Sequence, residues 1–214
     1  MLAALSASER QELLAAAWAR NFRRNEVVCR AGDPADSLHL VESGHLAVRG
    51  SLASGATATI NILSAGDYFG ELALLRDDRR RTATVVAIEP SRTLSIAATT
   101  FTRLRANNPL VERALSILLA DRVDQLSRRL LEMMYLSLDR RIYRRLIELA
   151  ISYGAVDNRA SIPLSQASLA DLVGATRPSV NQVLRRLARQ RLVSVHRGRI
   201  DLLDIAALSG RCGD

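Results

Sequence analysis

Two glycines and one arginine between residues 66 and 85 have the types and spacing of a small anion-binding site. Gly66 and Gly70 allow tight turns and a close approach of the backbone to a ligand. The residues after Gly70 read ELALL, which predicts a short helical turn whose first amides are available to an anion. Arg81 follows nearby and adds a guanidinium, a side chain well matched to phosphate. The segment therefore predicts a phosphate-binding site.

The side chains around this arginine also suit a sugar attached to the phosphate. Glu71 offers an acceptor to a ribose hydroxyl, Thr82 can donate its own hydroxyl, and Ala83 leaves room for the ligand. Each of these motifs is short, and the stretch RDDRRR that precedes Thr82 is also typical of a solvated loop. The rest of the chain has to decide between a ligand site and a charged loop.

The composition is that of a globular protein with room for two small cores. Of its 214 residues, 48% are hydrophobic and 24% charged, with no apolar run long enough to cross a bilayer and no signal peptide. We expect a cytoplasmic protein without a membrane partner. The net charge of +8 is uneven, because residues 137–214 carry 13 arginines against seven acidic residues. A basic final third predicts a polyanion as partner.

Short apolar runs between turn signals fill the chain from residue 23 to about residue 98. The turn signals are GDP, SG, SG, GD and EP, and their spacing predicts an all-β roll or barrel. Ahead of it, residues 8–22 show a helical apolar pattern in which Leu13, Leu14, Ala17 and Trp18 share one face. A helical segment over residues 100–107 closes this part of the chain.

Thiols and imidazoles are too sparse for a metal centre or a catalytic site. Cys29 and Cys212 lie far apart in sequence, and His39, His45 and His196 show no pair at a helical ligand spacing. A β-roll enzyme that holds a metal in the manner of cupins would need a His-x-His pair and a suitably spaced glutamate, and no activated nucleophile stands out either. We expect no covalent or metallic cofactor and no enzymatic activity.

A long helix is expected over residues 110–136, because apolar residues recur there at intervals of four and three. This spacing is an a/d heptad seam over two repeats, which predicts that the helix pairs with its copy in a second subunit. The seam residues are Leu119, Val123, Leu126, Leu130 and Met133. The alternative is that the stripe packs on its own β-domain, a role that Leu115, Leu118 and Leu131 could fill from outside the seam.

The final third predicts a winged helix-turn-helix. Ser137 is a suitable N-cap for a helix over residues 138–152, and Ser165 caps a second, short helix that ends in the turn Gly174-Ala175-Thr176. A further helix starts at Arg177-Pro178 and buries Val180, Val183, Leu184 and Leu187, and residues 192–203 form a hairpin wing. The opposite helix face is left for the major groove of DNA, with Arg177 placed for guanine and Asn181 or Gln182 for adenine.

With these elements in this order, the whole chain resembles the CRP/FNR family of bacterial transcription factors. The resemblance is carried by the glycines at 32, 44, 66 and 70, the cassette GELAL followed by RTA, the dimer helix and the winged helix-turn-helix. It implies an α+β protein with a jelly-roll-like β-roll effector domain over residues 1–108, a dimerisation helix over 109–136 and a DNA-binding domain over 137–214.

The resemblance also implies site residues and partners. A cyclic nucleotide, cyclic AMP before cyclic GMP, would contact Gly70, Glu71, Leu72, Ala73, Arg81, Thr82, Ala83 and, through its base, Ser127 on the dimer helix. Double-stranded DNA would contact Ser165, Thr176, Arg177, Pro178, Ser179, Asn181, Gln182, Arg185, Arg186 and, in the wing, His196. RNA polymerase is a further candidate partner, through the loop over residues 153–160.

Two functional hypotheses stay open. In the first, a homodimer binds a two-fold related operator, and a cyclic nucleotide changes the register of the dimer helix. In the second, a regulator of the same architecture needs no small molecule, or responds to haem, nitric oxide or redox state.

Overall fold

The computed structural model describes residues 11, 15–51 and 57–212. These residues separate into two compact units. The first runs to Thr57 and from Asn61 to Arg128, and the second comprises Ala58–Ile60 and the residues from Arg129 onward. Within the described residues, no helix combines the length and the apolar content that a bilayer crossing requires.

Eight strands between residues 17 and 97, counted among the described residues, form two four-stranded sheets. They are β1 (Ala17–Phe22), β2 (Val27–Cys29), β3 (Ser37–Ser43), β4 (Leu46–Ser51), β5 (Thr57–Leu63), β6 (Tyr68–Phe69), β7 (Thr84–Ala87) and β8 (Ser91–Ala97). One sheet has the order β1-β8-β3-β6 and the other β2-β7-β4-β5. Sequence neighbours are thus spread over two sheets, which confirms the β-roll.

The expected N-terminal helix is wrong over residues 17–22, which form strand β1. Ala17 lies opposite Ile96 and Phe22 opposite Ser91, in a continuous antiparallel register with β8. The ladder satisfies the backbone groups of these residues, and it outweighs the local apolar pattern. Trp18 is half-exposed in this strand. Leu13 and Leu14, the other residues of the expected helix face, lie outside the described residues.

Two hydrophobic clusters hold the first unit together. One contains residues of both sheets and therefore lies between them; its members are Phe22, Val28, Val41, Leu46, Val48, Leu63, Phe69, Val85 and Ala87. The other joins β3 and β8 to the helices α1 (Glu71–Leu75), α2 (Ala98–Asn107) and α3 (Pro109–Tyr135). Leu115 of α3 belongs to this second cluster, and Leu119 packs against it. The start of α3 is thus anchored on the β-roll.

Among its described residues, the second unit contains four more helices and a three-stranded sheet. Its elements are α4 (Leu138–Ser152), β9 (Ala160–Ile162), α5 (Gln166–Val173), α6 (Arg177–Arg189), β10 (Val193–His196), β11 (Arg199–Leu202) and α7 (Ile205–Ser209). The sheet has the order β10-β11-β9. Its core includes the four predicted α6 residues, Val180, Val183, Leu184 and Leu187, all of which are buried.

Side-chain caps fix the ends of the two helices in the helix-turn-helix. The Ser165 hydroxyl accepts a hydrogen bond from the backbone N–H of Ser168 at 3.0 Å, and Thr176 accepts one from Ser179 at 3.4 Å. Between them, Gly174 ends α5 in the left-handed conformation with φ of 62°. A Cβ atom at Gly174 would lie 2.7 Å from Cε of Met133, at the flexible end of that side chain, so the left-handed φ is the main reason for a glycine in the turn.

Candidate functional site

One small cavity in the first unit collects seven of the eight predicted effector-binding residues. Its volume is about 50 Å³, and its lining comprises Gly70, Glu71, Leu72, Ala73, Arg81, Thr82 and Ala83 together with Cys29, Val48, Phe69, Val85 and Arg122. The residues come from α1, from the segment that leads into β7, and from neighbouring strands, because the β-roll folds these elements onto each other. Ser127 is not among the lining residues, and its hydroxyl donates to the carbonyl of Val123 at 2.9 Å.

Gly70 leaves room for the arginine of this cavity. Its φ is 98°, a region that residues with a side chain rarely adopt. A Cβ atom at this position would lie 2.2 Å from Nη1 of Arg81 and 2.9 Å from the carbonyl oxygen of Ser37. The glycine is therefore required both by the backbone conformation and by the guanidinium that lies against it.

Arg81 is a buried cation with spare hydrogen-bonding capacity. Its side chain is only 4% exposed. Nη2 donates to the hydroxyl of Ser37 at 3.1 Å and to Oδ1 of Asp36 at 3.3 Å. Nη1 is buried and has no hydrogen-bond partner among the described residues. Because a buried polar group without a partner is unfavourable, this nitrogen marks a place where an anion would be stabilised.

A chain of polar side chains continues from Arg81 into the β-roll. The Ser37 hydroxyl lies 3.1 Å from Nε2 of His39, and Nδ1 of His39 lies 3.1 Å from the hydroxyl of Thr93. The His39 ring stacks on Phe69 with ring centroids 4.8 Å apart. Burial, and then the charge of Arg81, lowers the pKa of His39 to about 4, so the ring is neutral at physiological pH.

Three further groups shape the electrostatics of the cavity. Glu71 is buried, and this burial raises the pKa of its carboxyl group. Burial likewise raises the pKa of the Cys29 thiol, against the opposing effect of Arg81. Arg122 of α3 lines the cavity and also contributes to a neighbouring cleft beside Tyr68. Sequence reasoning missed Arg122, because nothing in the local sequence indicates which face of α3 lies on the cavity.

The second unit presents a basic groove along the outer face of α6. The groove has a volume of about 730 Å³ and is lined by Arg177, Pro178, Asn181, Gln182, Arg185, Arg186 and Arg189. Six of these residues were predicted as DNA contacts, and Arg189 was missed. The signal for Arg189 was its position four residues after Arg185, which places both on one side of the helix. Arg177, Arg185 and Arg189 are exposed, whereas Asn181 is half-buried.

Four predicted DNA contacts also have partners within the protein. Arg186 pairs with Asp139 of α4, and this hydrogen bond raises the pKa of the guanidinium. The hydroxyls of Thr176 and Ser179 lie 2.9 Å apart at the start of α6. In the wing, Nε2 of His196 lies 3.1 Å from Oδ2 of Asp201. Ser165, the remaining predicted contact, lies at the start of α5, where it serves as the cap.

The apolar stripe on α3 is packed against the first unit at its start and exposed further along the helix. Leu119 packs on the core of the first unit. The next four seam residues, Val123, Leu126, Leu130 and Met133, are each between 54% and 63% exposed. Leu131, which lies off the seam, is also exposed, so the expectation that it packs on the β-domain is wrong. A row of exposed apolar residues at heptad spacing is typical of an interaction surface.

A β-roll with a cavity beside a buried arginine, followed by a winged helix-turn-helix with a basic groove, defines a DNA-binding regulator with a ligand domain. Comparisons with known proteins agree with both halves. Residues 19–108 match the family of cyclic nucleotide-binding domains, and residues 140–211 match Crp-like helix-turn-helix domains.

Whole-chain relatives belong to the same class. The chain is 30% identical over 177 residues to the cAMP-activated global transcriptional regulator CRP of Pasteurella multocida, covering 82% of this chain and 85% of that protein. It is 31% identical over 195 residues to the HTH-type transcriptional regulator Cmr of Mycobacterium tuberculosis, covering 90% and 75%. Its fold is similar to that of the c-di-GMP responsive global regulator CLP of Xanthomonas campestris, with a TM-score of 0.77, 22% identity, and coverage of 92% and 99%.

The chain therefore belongs to the CRP/FNR family of transcriptional regulators, with a cyclic nucleotide-binding domain and a DNA-binding helix-turn-helix domain. This family is a class of transcription regulators and not of enzymes. The similarity in sequence and fold confirms the family that the motifs predicted.

Proposed function

We propose that this protein is a homodimeric transcriptional regulator whose affinity for an operator is set by a cyclic nucleotide bound beside Arg81. The observation that carries the proposal is the buried guanidinium of Arg81, whose Nη1 has no partner among the described residues and lies against Gly70. A phosphate would supply the missing acceptor and a counter-charge. Cyclic AMP is the first candidate and cyclic GMP the second, since the Pasteurella multocida relative is cAMP-activated.

The other residues around the cavity support a cyclic nucleotide as the ligand that carries the phosphate. Thr82 is exposed beside Arg81 and offers a hydroxyl to the phosphate, and Glu71 offers a carboxyl group to the ribose. The cavity volume of about 50 Å³ is well below the roughly 300–1,000 Å³ of typical ligand pockets. Binding of a whole nucleotide therefore requires the lining side chains to move.

The exposed stripe of α3 supports the homodimer. Its four exposed residues are spaced three, four and three apart, which is the spacing of a two-stranded coiled coil. Two subunits joined along this helix would present two α6 helices to a two-fold related site. Helix-turn-helix dimers of this kind read half-sites about 34 Å or roughly 10 base pairs apart. Contact with RNA polymerase through residues 153–160 stays a prediction.

Nucleotide control is tested by titrating the full-length protein with cyclic AMP and cyclic GMP in a calorimeter, and by measuring DNA affinity with and without each nucleotide. We expect heat of binding and a change in DNA affinity with at least one of them. Arg81→Ala should abolish both responses, because it removes the group that binds the phosphate. Arg76→Ala is the matched control, since Arg76 lies in the same segment but pairs with Asp78 at the surface.

The dimer is tested separately by sedimentation of two variants. Leu126→Glu places a charge in the seam and should produce monomers, whereas Leu131→Glu introduces the same charge off the seam and should leave dimers intact. The two leucines are a matched pair because they are 56% and 55% exposed. If both variants formed dimers as readily as wild type does, the seam would not be the dimer contact.

The alternative, a regulator without a nucleotide effector, predicts different results in these titrations. It requires that wild-type protein bind its DNA with the same affinity in the presence and absence of both nucleotides. A metal ion held by side chains alone would need several ligands, and the described part of the chain contains no group of three or more His, Cys, Asp and Glu side chains suited to a metal ion. Absorbance of the purified protein in the visible range would favour that alternative.

A further inference from the structure

We propose that the carboxylate of Asp36 competes with the effector phosphate for Arg81 and thereby lowers the affinity of the cavity for its ligand. The inference rests on the proposed function and deepens it, since it concerns the regulation of the same site. It starts from the contact between a carboxylate that is 85% exposed and a guanidinium that is 4% exposed.

Asp36 and Ser37 together use both hydrogens of one guanidinium nitrogen. Nη2 of Arg81 donates one hydrogen to Oδ1 of Asp36 and the other to the hydroxyl of Ser37. A bidentate contact between the paired Nη1 and Nη2 atoms and a phosphate needs one hydrogen from each nitrogen. A phosphate therefore gains this contact only when it displaces Asp36 or Ser37. Asp36 is the exposed partner, so it is the one that leaves more easily.

The side chains that contact Ser37 orient its hydroxyl group toward Asp36. An ionised carboxylate can only accept, so in the 2.7 Å contact between Ser37 and Asp36 the serine hydroxyl is the donor. The serine oxygen is then left to accept from Arg81 and from Nε2–H of His39, and Nδ1 of His39 accepts from Thr93. Every group in this chain has a consistent donor or acceptor role. The hydrogen bond from Ser37 is the main cause that lowers the pKa of Asp36.

Backbone contacts hold the segment that carries Asp36 in place. The carbonyl of Asp36 accepts from the backbone N–H of Ala98 at 2.8 Å, at the start of α2. On the other side, the N–H of Ala35 donates to the carbonyl of Arg79 at 2.7 Å, and the N–H of Arg81 donates to the carbonyl of Asp33 at 2.9 Å. The carboxylate is thus positioned by the fold, unlike a pair of two mobile surface side chains.

The same contact makes a prediction about affinity. A carboxylate beside Arg81 cancels part of the positive potential that attracts the phosphate, and it has to be displaced when the phosphate binds through both Nη1 and Nη2. Pairs with one exposed partner are worth up to about 1 kcal/mol, which corresponds to about a five-fold change in binding constant. Removal of the Asp36 charge should therefore raise the affinity for a cyclic nucleotide about five-fold.

The test measures cyclic AMP and cyclic GMP binding to full-length wild type, Asp36→Asn and Asp77→Asn by calorimetry. Asp77→Asn is the matched control, because it makes the same change of charge at an exposed position five residues before Thr82. We expect tighter binding for Asp36→Asn alone. Binding of Asp36→Asn that equals wild type, or is weaker because Asp36 orients Arg81 for the ligand, overturns the inference and leaves the proposed function intact.

A second measurement tests the contact without nucleotide. Unfolding free energies of wild type, Asp36→Asn, Arg81→Gln and the double variant form a double-mutant cycle. We expect the double variant to lose less stability than the two single variants added together. Additive losses would show that the two side chains do not interact and would overturn the inference. If neither wild type nor Asp36→Asn binds either nucleotide, the proposed function fails and the inference fails with it.

Discussion

Arg185→Ala should weaken the salt dependence of DNA binding, whereas Arg186→Ala should leave it unchanged. The two arginines are neighbours in sequence, but successive residues of a helix point about 100° apart. Arg185 lies in the α6 groove with Arg189, which follows it by four residues. Arg186 lines the same groove, but its guanidinium pairs with Asp139 of α4. The pair already neutralises the charge that a DNA phosphate would use.

The size of the effect follows from counterion release. Each phosphate that a protein neutralises contributes about 0.9 to the slope of the logarithm of the binding constant against the logarithm of salt concentration. Loss of one contact thus changes the affinity ratio between about 50 mM and 200 mM salt roughly 3.5-fold. We expect this change for Arg185→Ala and none for Arg186→Ala. Asp139→Asn should steepen the slope by about 0.9, because it releases Arg186 for a phosphate.

The assay is fluorescence anisotropy of a labelled duplex of random sequence at several salt concentrations. A random duplex isolates the phosphate contacts from base recognition, so the operator need not be known. Melting temperatures of all variants show whether each one is folded, and Arg185→Ala serves as the positive control for a lost contact.

Two results would refute this reasoning. Equal flattening of the salt dependence by Arg185→Ala and Arg186→Ala would mean that DNA takes Arg186 away from Asp139. An unchanged slope for Asp139→Asn would mean that Arg186 lies too far from the DNA backbone to contact it even when released. Either outcome would remove the distinction that the Asp139 contact draws between the two arginines.

Two further predictions concern the β-roll. Gly66 and Gly70 have φ of 93° and 98°, so alanine at either position should strain the backbone by about 1–3 kcal/mol. Only the Cβ of Gly70→Ala also meets Arg81, so this variant should lose roughly another 1–3 kcal/mol of stability and its nucleotide response. Equal melting temperatures of the two variants would contradict this prediction. The pKa of His39 is about 4 in the folded protein and 6.5 in the unfolded chain, so the unfolded chain binds more protons between these two pH values. The free energy of unfolding should therefore fall by about 3 kcal/mol as the pH drops from 6.5 to 4. Urea unfolding across this range should show a smaller drop for His39→Gln than for wild type, and an equal drop would contradict the prediction.

Local sequence signals predicted the second unit closely because caps and turns depend on neighbouring residues. The predicted N-caps Ser137 and Ser165 stand where their helices begin, Thr176 of the predicted turn caps α6, and Gly174 ends α5 in the left-handed conformation. The apolar spacing of α6 gave its buried face for the same reason. Strand β1 was missed because its partner, β8, lies about 70 residues away in sequence and no local pattern announces the pairing.

The cavity shows the same division between local and distant information. Gly70, Glu71 and Arg81 could be placed together from one continuous stretch of sequence. Asp36 could not, because it precedes Arg81 by 45 residues and reaches it only through the packing of the β3 end against the segment before β7. Asp139 likewise precedes Arg186 by 47 residues. Sequence reasoning therefore found the residues that suit a ligand, and the structure supplied the acidic partners that modify them.

The extent to which each arginine is buried determines what its acidic partner does. A buried guanidinium such as Arg81 has lost its hydration, so an acid of the same chain is needed to stabilise it whenever no ligand supplies a negative charge. The exposed arginines of the groove, Arg177 and Arg185, remain hydrated and need no such acid before DNA arrives. Arg186 is nearly half exposed and nevertheless pairs with Asp139, so hydration does not require that pair. The contact also holds α6 against α4, and we therefore predict that Arg186 supports the recognition helix until Asp139 is removed, while its contact with DNA stays a prediction for the salt titration to test.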